Sequence, residues 1–415
     1  MKKPVGKPAS RIRGFDPVRV LALMLLAAAV VRVIFLLQLE KYELSADLSL
    51  DSLLYYDIAR AVVEGNALPS GTSSFNPLYP LFLVAVFKLF GVGFLAPRII
   101  QLAIGLGTIS LVFAAGWRLA PVPERGTRRG LVLAGAAAAI AILYARLMLY
   151  EGMLIATTLE VWFLAASLAL ALALDEDLRG ERPMTLGKRR VPQWLSSFSL
   201  GALCGAGALG RPNLFLLLIA ALALWLLAKA GSKRRGLALG ASFVAGAAIL
   251  LAPPIVHTAM ATGRIVPVTA GGGVNFYIGN RTGSNGLFLP PEGVRGNVRG
   301  MMEDMTANAE AENGRSMTPP EVSSHYFRKT LQDVGRDPAA WLRVAGMKLF
   351  LFFNAEIRDL PEAFLYERSC GVLRLLFLPF SLISTLGACG FALLMMSGRK
   401  RAVVSIFLGC AVLSV

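Results

Sequence analysis

The residues able to do chemistry in this chain are few and widely spaced. Asp51, Tyr55 and Asp57 fall together in the run Asp51-Ser52-Leu53-Leu54-Tyr55-Tyr56-Asp57-Ile58-Ala59-Arg60. Helical spacing puts Asp51, Tyr55 and Ile58 on one face, with Asp57 turned away from it. Asp51 could handle a proton or simply cap the helix. Asp57 could pair with Arg60 three residues on. Glu151 stands in the turn Leu149-Tyr150-Glu151-Gly152-Met153 between two apolar runs. An ionisable group at such a boundary, facing other acids, is either a functional carboxylate or a solvated loop acid. Glu160 lies deeper in the following run, where Arg146 could pair with it. Arg211, in Gly210-Arg211-Pro212-Asn213, interrupts another apolar run. It could snorkel to mark an interface, or clamp a phosphate, whose oxygens match a guanidinium bidentately.

The rest of the chain excludes several chemistries. The four cysteines (Cys204, Cys370, Cys389, Cys410) have no ligand-like spacing, and His257 and His325 are the two histidines. A disulfide scaffold, a cysteine–zinc site and a histidine-built metal centre are therefore not expected. There is no P-loop, no Gly-x-Ser-x-Gly elbow and no His-Glu-x-x-His pair. Gly271-Gly272-Gly273 before Val274-Asn275-Phe276-Tyr277-Ile278-Gly279-Asn280 suggests a tight turn or backbone approach, not a dinucleotide fingerprint.

What must position these residues is a membrane bundle. Of 415 residues, 55% are hydrophobic and 16% charged, with mean hydropathy +0.61. The apolar residues come in runs of roughly 20, the length of helix that crosses a bilayer. The net charge of +16 does not point to nucleic acid, because residues 1–19, 118–129, 175–190, 229–235 and 398–401 carry all of it. Basic residues massed in short loops between apolar spans mark the cytoplasmic side.

That assignment predicts the crossings. An uncleaved anchor spans about 17–38, behind Lys2, Lys3, Lys7, Arg11 and Arg13. A first outer loop, 39–76, holds six acids and two bases. The run 77–90, opened by Asn76-Pro77-Leu78-Tyr79-Pro80 and containing Lys88, is too short to span and is expected to lie at the outer interface. Spans follow near 94–118, 130–147, 153–174, 193–209, 213–228, 237–259 and 371–396, which makes eight. Residues 260–340 form an external segment, with a Thr318-Pro319-Pro320-Glu321 helix start. The run 341–355 is expected at the interface, and 402–415 ends after 14 residues, as if inside a further span. The expected units are a basic N-terminus (1–16), a transmembrane module (17–259), the external segment and a C-terminal membrane region (341–415).

Taken in order, these motifs resemble the GT-C membrane glycosyltransferases, specifically glycosyltransferase family 39 and its bacterial dolichyl-phosphate-mannose-protein mannosyltransferase-like relatives. The resemblance runs over residues 17–396. It rests on Leu50-Asp51-Ser52 with Tyr55-Tyr56-Asp57-Ile58-Ala59-Arg60 and Glu64-Gly65, then Pro77-Leu78-Tyr79-Pro80 with Phe90-Gly91. Tyr150-Glu151-Gly152, Arg211-Pro212-Asn213, Asn275-Phe276-Tyr277-Ile278-Gly279-Asn280 and Lys348-Leu349-Phe350-Leu351-Phe352-Phe353-Asn354 follow, before an acidic, aromatic segment. Aminoarabinose transferases of that superfamily carry an Asp-x-x-x-Tyr-x-acid signature in the first outer loop, which Asp51, Tyr55 and Asp57 match. The chain reads Asp51-Ser52 where the mannosyltransferases read Asp-Glu, and Asn76 where the aminoarabinose enzymes have lysine.

The resemblance implies an all-α polytopic, GT-C-like bundle in a bacterial inner membrane, with its site on the external face. It implies transfer of a sugar from a polyprenyl-phosphate donor to the hydroxyl of a glycan, lipid or protein acceptor, with inversion. Asp51 would be the catalytic base, assisted by Glu151 and Asp57. Arg211 would hold the donor phosphate, with Arg60 or Lys88 in reserve, and Tyr55, Tyr79, Asn275 and Tyr277 would contact substrate. No cofactor is implied, and a divalent metal stays open. A transporter or flippase, which should show internal repeats and broken helices, and a non-catalytic envelope assembly subunit are the competing readings. Convergence of Asp51, Glu151 and Arg211 on one cavity would separate them.

Overall fold

The computed structural model describes residues 16–46, 48–66, 75–120, 125, 127–263, 266, 268–287, 289–353, 361–376, 378–397 and 401–414. The basic residues before 16, Arg399 and Lys400, and Asn354 lie outside them. The described chain is helical apart from one small ribbon, and is an all-α polytopic membrane protein.

The first half comprises α1 (Pro17–Lys41), α2 (Leu50–Glu64), α3 (Leu78–Phe90), α4 (Leu95–Leu119), α5 (Arg128–Leu143), α6 (Ala145–Gly152) and α7 (Thr157–Leu178). A two-residue hairpin follows, β1 (Thr185–Leu186) antiparallel to β2 (Arg189–Arg190). Then come α8 (Gln193–Ala208), α9 (Pro212–Lys229), α10 (Lys233–Thr262), α11 (Gly272–Asn280), α12 (Val298–Asn313), α13 (Pro319–Arg336) and α14 (Pro338–Phe353). The chain finishes with α15 (Pro361–Ser369), α16 (Gly371–Leu375), α17 (Phe380–Ser397) and α18 (Arg401–Leu413).

Among the described residues, five helices are long and apolar enough to cross a membrane: α1, α4, α7, α9 and α10. Eight such spans were expected, and the shortfall has local causes. The run 130–147 breaks where Tyr144 leaves helical geometry for extended backbone, which separates α5 from α6. The run 193–209 folds as a helix of 16 residues, about 24 Å long, against the ~30 Å hydrocarbon layer. The run 371–396 yields a five-residue helix and then α17.

Start signals explain where several helices begin. Asp16 accepts from the Val18 amide at 3.0 Å and Pro17 occupies the first turn of α1. Glu321 accepts from the Thr318 amide at 2.9 Å, so the expected capping box opens α13. Small residues then set the packing. α8 and α10 pack so closely that a Cβ on Gly201 would meet the Phe243 carbonyl oxygen at 1.8 Å. Around them α7, α9 and α18 complete a core that includes Leu172, Phe215, Leu222 and Phe407. The helices α11, α12 and α13 close on a separate small core of Val274, Ile278, Met305 and Tyr326, which makes them a folded unit of their own.

Candidate active site

The helix that carries Asp51 is held in place by a distant acid. Its N-cap position is Ser49, not Asp51, and the Ser49 side chain makes no capping bond. Glu362 of α15, 2% exposed, instead accepts from the Ser49 amide and from Ser52 Oγ at 3.0 Å. A carboxylate thus sits at the N-terminal end of α2, on one orphan amide and one hydroxyl, and burial pushes the Glu362 carboxyl above its usual range. Leu50, immediately before Asp51, has φ +47°, a left-handed geometry that a leucine adopts only at a cost.

Asp51 therefore lies in the first turn of α2, half-buried, with no hydrogen bond or ion pair to any described residue. Burial raises its carboxyl pKa. One turn on, Tyr55 is buried, and its ring centroid is 5.5 Å from that of Tyr79. The Tyr55 phenol is pushed up by burial first, and then by the charges of Asp51 and Glu160. The acid that shares the neighbourhood of Asp51 is thus Glu160, in the first turn of α7.

Glu160 faces Arg211. Arg211 Nη1 lies 3.6 Å from Glu160 Oε2, and its side chain is 51% exposed. Glycine at 210 permits this approach: a Cβ there would fall 2.7 Å from Leu78 Cδ2 and 3.1 Å from Glu160 Cγ. The start of α3 is stitched to the same turn. Asn76 Nδ2 donates to the Gly210 carbonyl at 2.7 Å, and the Leu78 amide donates to the Leu209 carbonyl at 3.2 Å. So α2, α3, α7 and the α8–α9 turn meet around Asp51, Tyr55, Glu160 and Arg211.

Other expected site residues are placed elsewhere. Glu151 does not face Asp51. It is 2% exposed and takes both oxygens to Arg32, at 2.7 Å from Nε and 2.6 Å from Nη2. The pair ties α6 to α1 inside the bundle. Arg32 sits nine residues before the end of α1, about 14 Å along its axis. Glu160 and Arg146 do not pair, since Arg146 lies 3.2 Å from Glu367. Asp57 is 3.8 Å from Arg299 of α12, and Arg60 binds Glu64 at 2.7 Å, so the expected Asp57–Arg60 pair is not made. Lys88 is exposed at the far end of α3, about 15 Å along that helix from Leu78.

Tyr79 is wholly buried, and its hydroxyl donates to Gln101, so it is a packing residue. Asn275 is exposed on α11. Tyr277 packs against Tyr326 at 5.0 Å, with Lys329 Nζ 5.7 Å from its ring centroid. Both belong to the α11–α13 unit, which reaches α2 through Arg299 and Asp57. Among the described residues, no cluster of three His, Cys, Asp or Glu side chains is placed to hold a metal ion.

Sequence reasoning passed over Glu362, Arg32 and Arg98. Arg98 is fully buried in α4 and donates to the Gly152 carbonyl at 2.7 Å and to Tyr366 Oη at 3.2 Å. For both arginines the available signal was a lone cation inside an apolar run, which is costly unless satisfied. Glu362 carried no such signal. Comparison with family models, with curated proteins and with solved structures gives no match for this chain.

Proposed function

We propose that this protein is a membrane glycosyltransferase that moves a sugar from a polyprenyl-phosphate donor to an acceptor hydroxyl at the outer ends of its helices. The observation that carries this reading is a half-buried carboxylate, Asp51, that has no hydrogen bond or ion pair to a described residue and shares Glu160 as a neighbour with the half-exposed Arg211. Those are the two groups such a reaction requires. Asp51 takes the proton of the acceptor hydroxyl as its oxygen attacks the anomeric carbon. The bond from that carbon to the phosphate oxygen breaks on the opposite face, so the anomeric centre inverts. Negative charge then gathers on the departing phosphate, where a guanidinium stabilises it. At 3.6 Å the contact with Glu160 orients Arg211 without saturating it, since a guanidinium has five N–H donors. In this reading Glu160 takes the assisting role that the sequence had pointed to Glu151. The apolar helices leave the lipid chain of the donor in the bilayer while its phosphosugar reaches the site.

A transporter has one observation in its favour, the Arg32–Glu151 pair buried within the bundle. The deciding experiment uses the full chain in lipid with a panel of radiolabelled polyprenyl-phosphate sugars, and measures release of free polyprenyl phosphate. Release by the wild type and none by Asp51→Asn supports transfer. Donor movement across the bilayer without release, equal in both proteins, supports transport and overturns the proposal.

A further inference from the structure

The opposite end of the bundle, where the basic loops lie, holds a cavity of about 520 Å³ that the proposed reaction does not use. Its walls are of two kinds. Leu21 of α1 with Phe113 and Trp117 of α4 make an apolar side, the two rings stacked at 6.4 Å. Arg118, Arg125 and Arg182 line the other side.

Among the described residues that line the cavity, three are arginines and none is an acid. Buried Glu176 receives both Arg118, at 3.0 Å, and Arg125, so two guanidiniums share one carboxylate. Of the neighbouring acids, Asp175 lies 2.9 Å from Arg179 and Asp177 3.0 Å from Arg190. Arg182 is exposed and has no carboxylate partner among the described residues. Arg182 and the two arginines on Glu176 thus all face the cavity. A free anion would satisfy them but would leave the aromatic wall wet. An amphiphile satisfies both walls. The cavity also borders Val18, 70% exposed on α1, along which an acyl chain can leave.

We propose that this cavity binds an anionic glycerophospholipid, its phosphodiester between Arg118, Arg125 and Arg182 and one acyl chain against Phe113 and Trp117. Basic pockets between helices at the cytoplasmic face suit such headgroups, and the loop charges assign this end to that face. The inference is independent of the proposed transfer reaction.

The test is native mass spectrometry of the full chain released from detergent, titrated with dioleoyl phosphatidylglycerol or dioleoyl phosphatidylcholine. We expect one phosphatidylglycerol retained per chain in preference to phosphatidylcholine. Arg182→Glu should weaken that retention about tenfold. Arg128→Glu, a charge reversal at an exposed arginine of the same end outside the cavity, should leave it unchanged. Excess inorganic phosphate should not displace the lipid. Equal retention of the two lipids, equal loss in both variants, or displacement by phosphate alone would each overturn the proposal.

Discussion

Two acid–arginine pairs are built on acids close in sequence and differ widely in character. Glu151 and Arg32 are both almost fully buried and meet through two short, charge-assisted bonds. Glu160 and Arg211 meet once, at 3.6 Å, with half of the arginine side chain open. The first pair has no free donor geometry to offer a ligand and serves to fix α6 against α1. The second sits where four elements end and retains capacity for a further anion. Residue type alone does not separate a structural ion pair from a functional one. What separates them is how completely each charge is already satisfied.

That contrast can be broken at several points. The largest effect is expected from Glu151→Ala, which leaves Arg32 buried and unpaired and should cost about 3–5 kcal/mol. Thermal unfolding in detergent would show it, and the double change Arg32→Met with Glu151→Leu should recover most of the loss. Full stability in Glu151→Ala would mean that the pair is not what holds α1 to α6.

Asp51→Asn should instead leave unfolding unchanged and lower transfer by about 10²–10⁴-fold, the usual worth of a positioned proton acceptor. The same carboxyl sets an acid limb. Burial raises its pKa, and the carboxylate is the working form, so activity should fall with decreasing pH already above the ordinary aspartate range. Folding has the opposite dependence at this group. The fold favours the protonated carboxyl, so its contribution is lost as pH rises through the raised pKa. A pH–rate profile that stays flat down to ordinary aspartate values would remove Asp51 from the base role.

Arg211→Ala sharpens the comparison from the other side. The pair is open at the arginine but only 12% exposed at Glu160, so its loss should cost about 1–3 kcal/mol of stability, while loss of a phosphate-stabilising donor should lower turnover roughly 10²–10³-fold. A stability loss as large as that of Glu151→Ala would make the two pairs equivalent. The smallest effect is expected at Gly210→Ala, whose methyl would press on Leu78 and Glu160. It should cost about 1–3 kcal/mol and disturb turnover through Glu160, seen as a lower kcat at little changed donor KM.

Much of the architecture could be read from one dimension. Runs of apolar residues announced the membrane helices, Thr318-Pro319-Pro320-Glu321 marked a helix start that the structure realises, and a helix through Asp51 and Tyr55 was legible from spacing. Span counting overreached because apolar composition does not reveal a break at a residue such as Tyr144, whose backbone simply turns extended. The site was half legible. Asp51 and Arg211 are singled out by where they interrupt an apolar pattern, and in the structure both are neighbours of Glu160.

Choosing between Glu151 and Glu160 was beyond the sequence, since both are single acids near the same boundary. The choice depends on which arginine arrives, and the arginines come from residues 32 and 211, brought in by helix packing that no local pattern encodes. Glu362 is the clearest instance, holding the first turn of α2 from more than three hundred residues away. Sequence by itself determined that this chain is a helical membrane protein, where most of its helices start, and which charges its apolar runs cannot hide. Tertiary structure alone decided which of those charges are neutralised and which stay available. A charge is satisfied by whatever packs against it, and in a bundle that partner is set by helix contacts, not by neighbours along the chain.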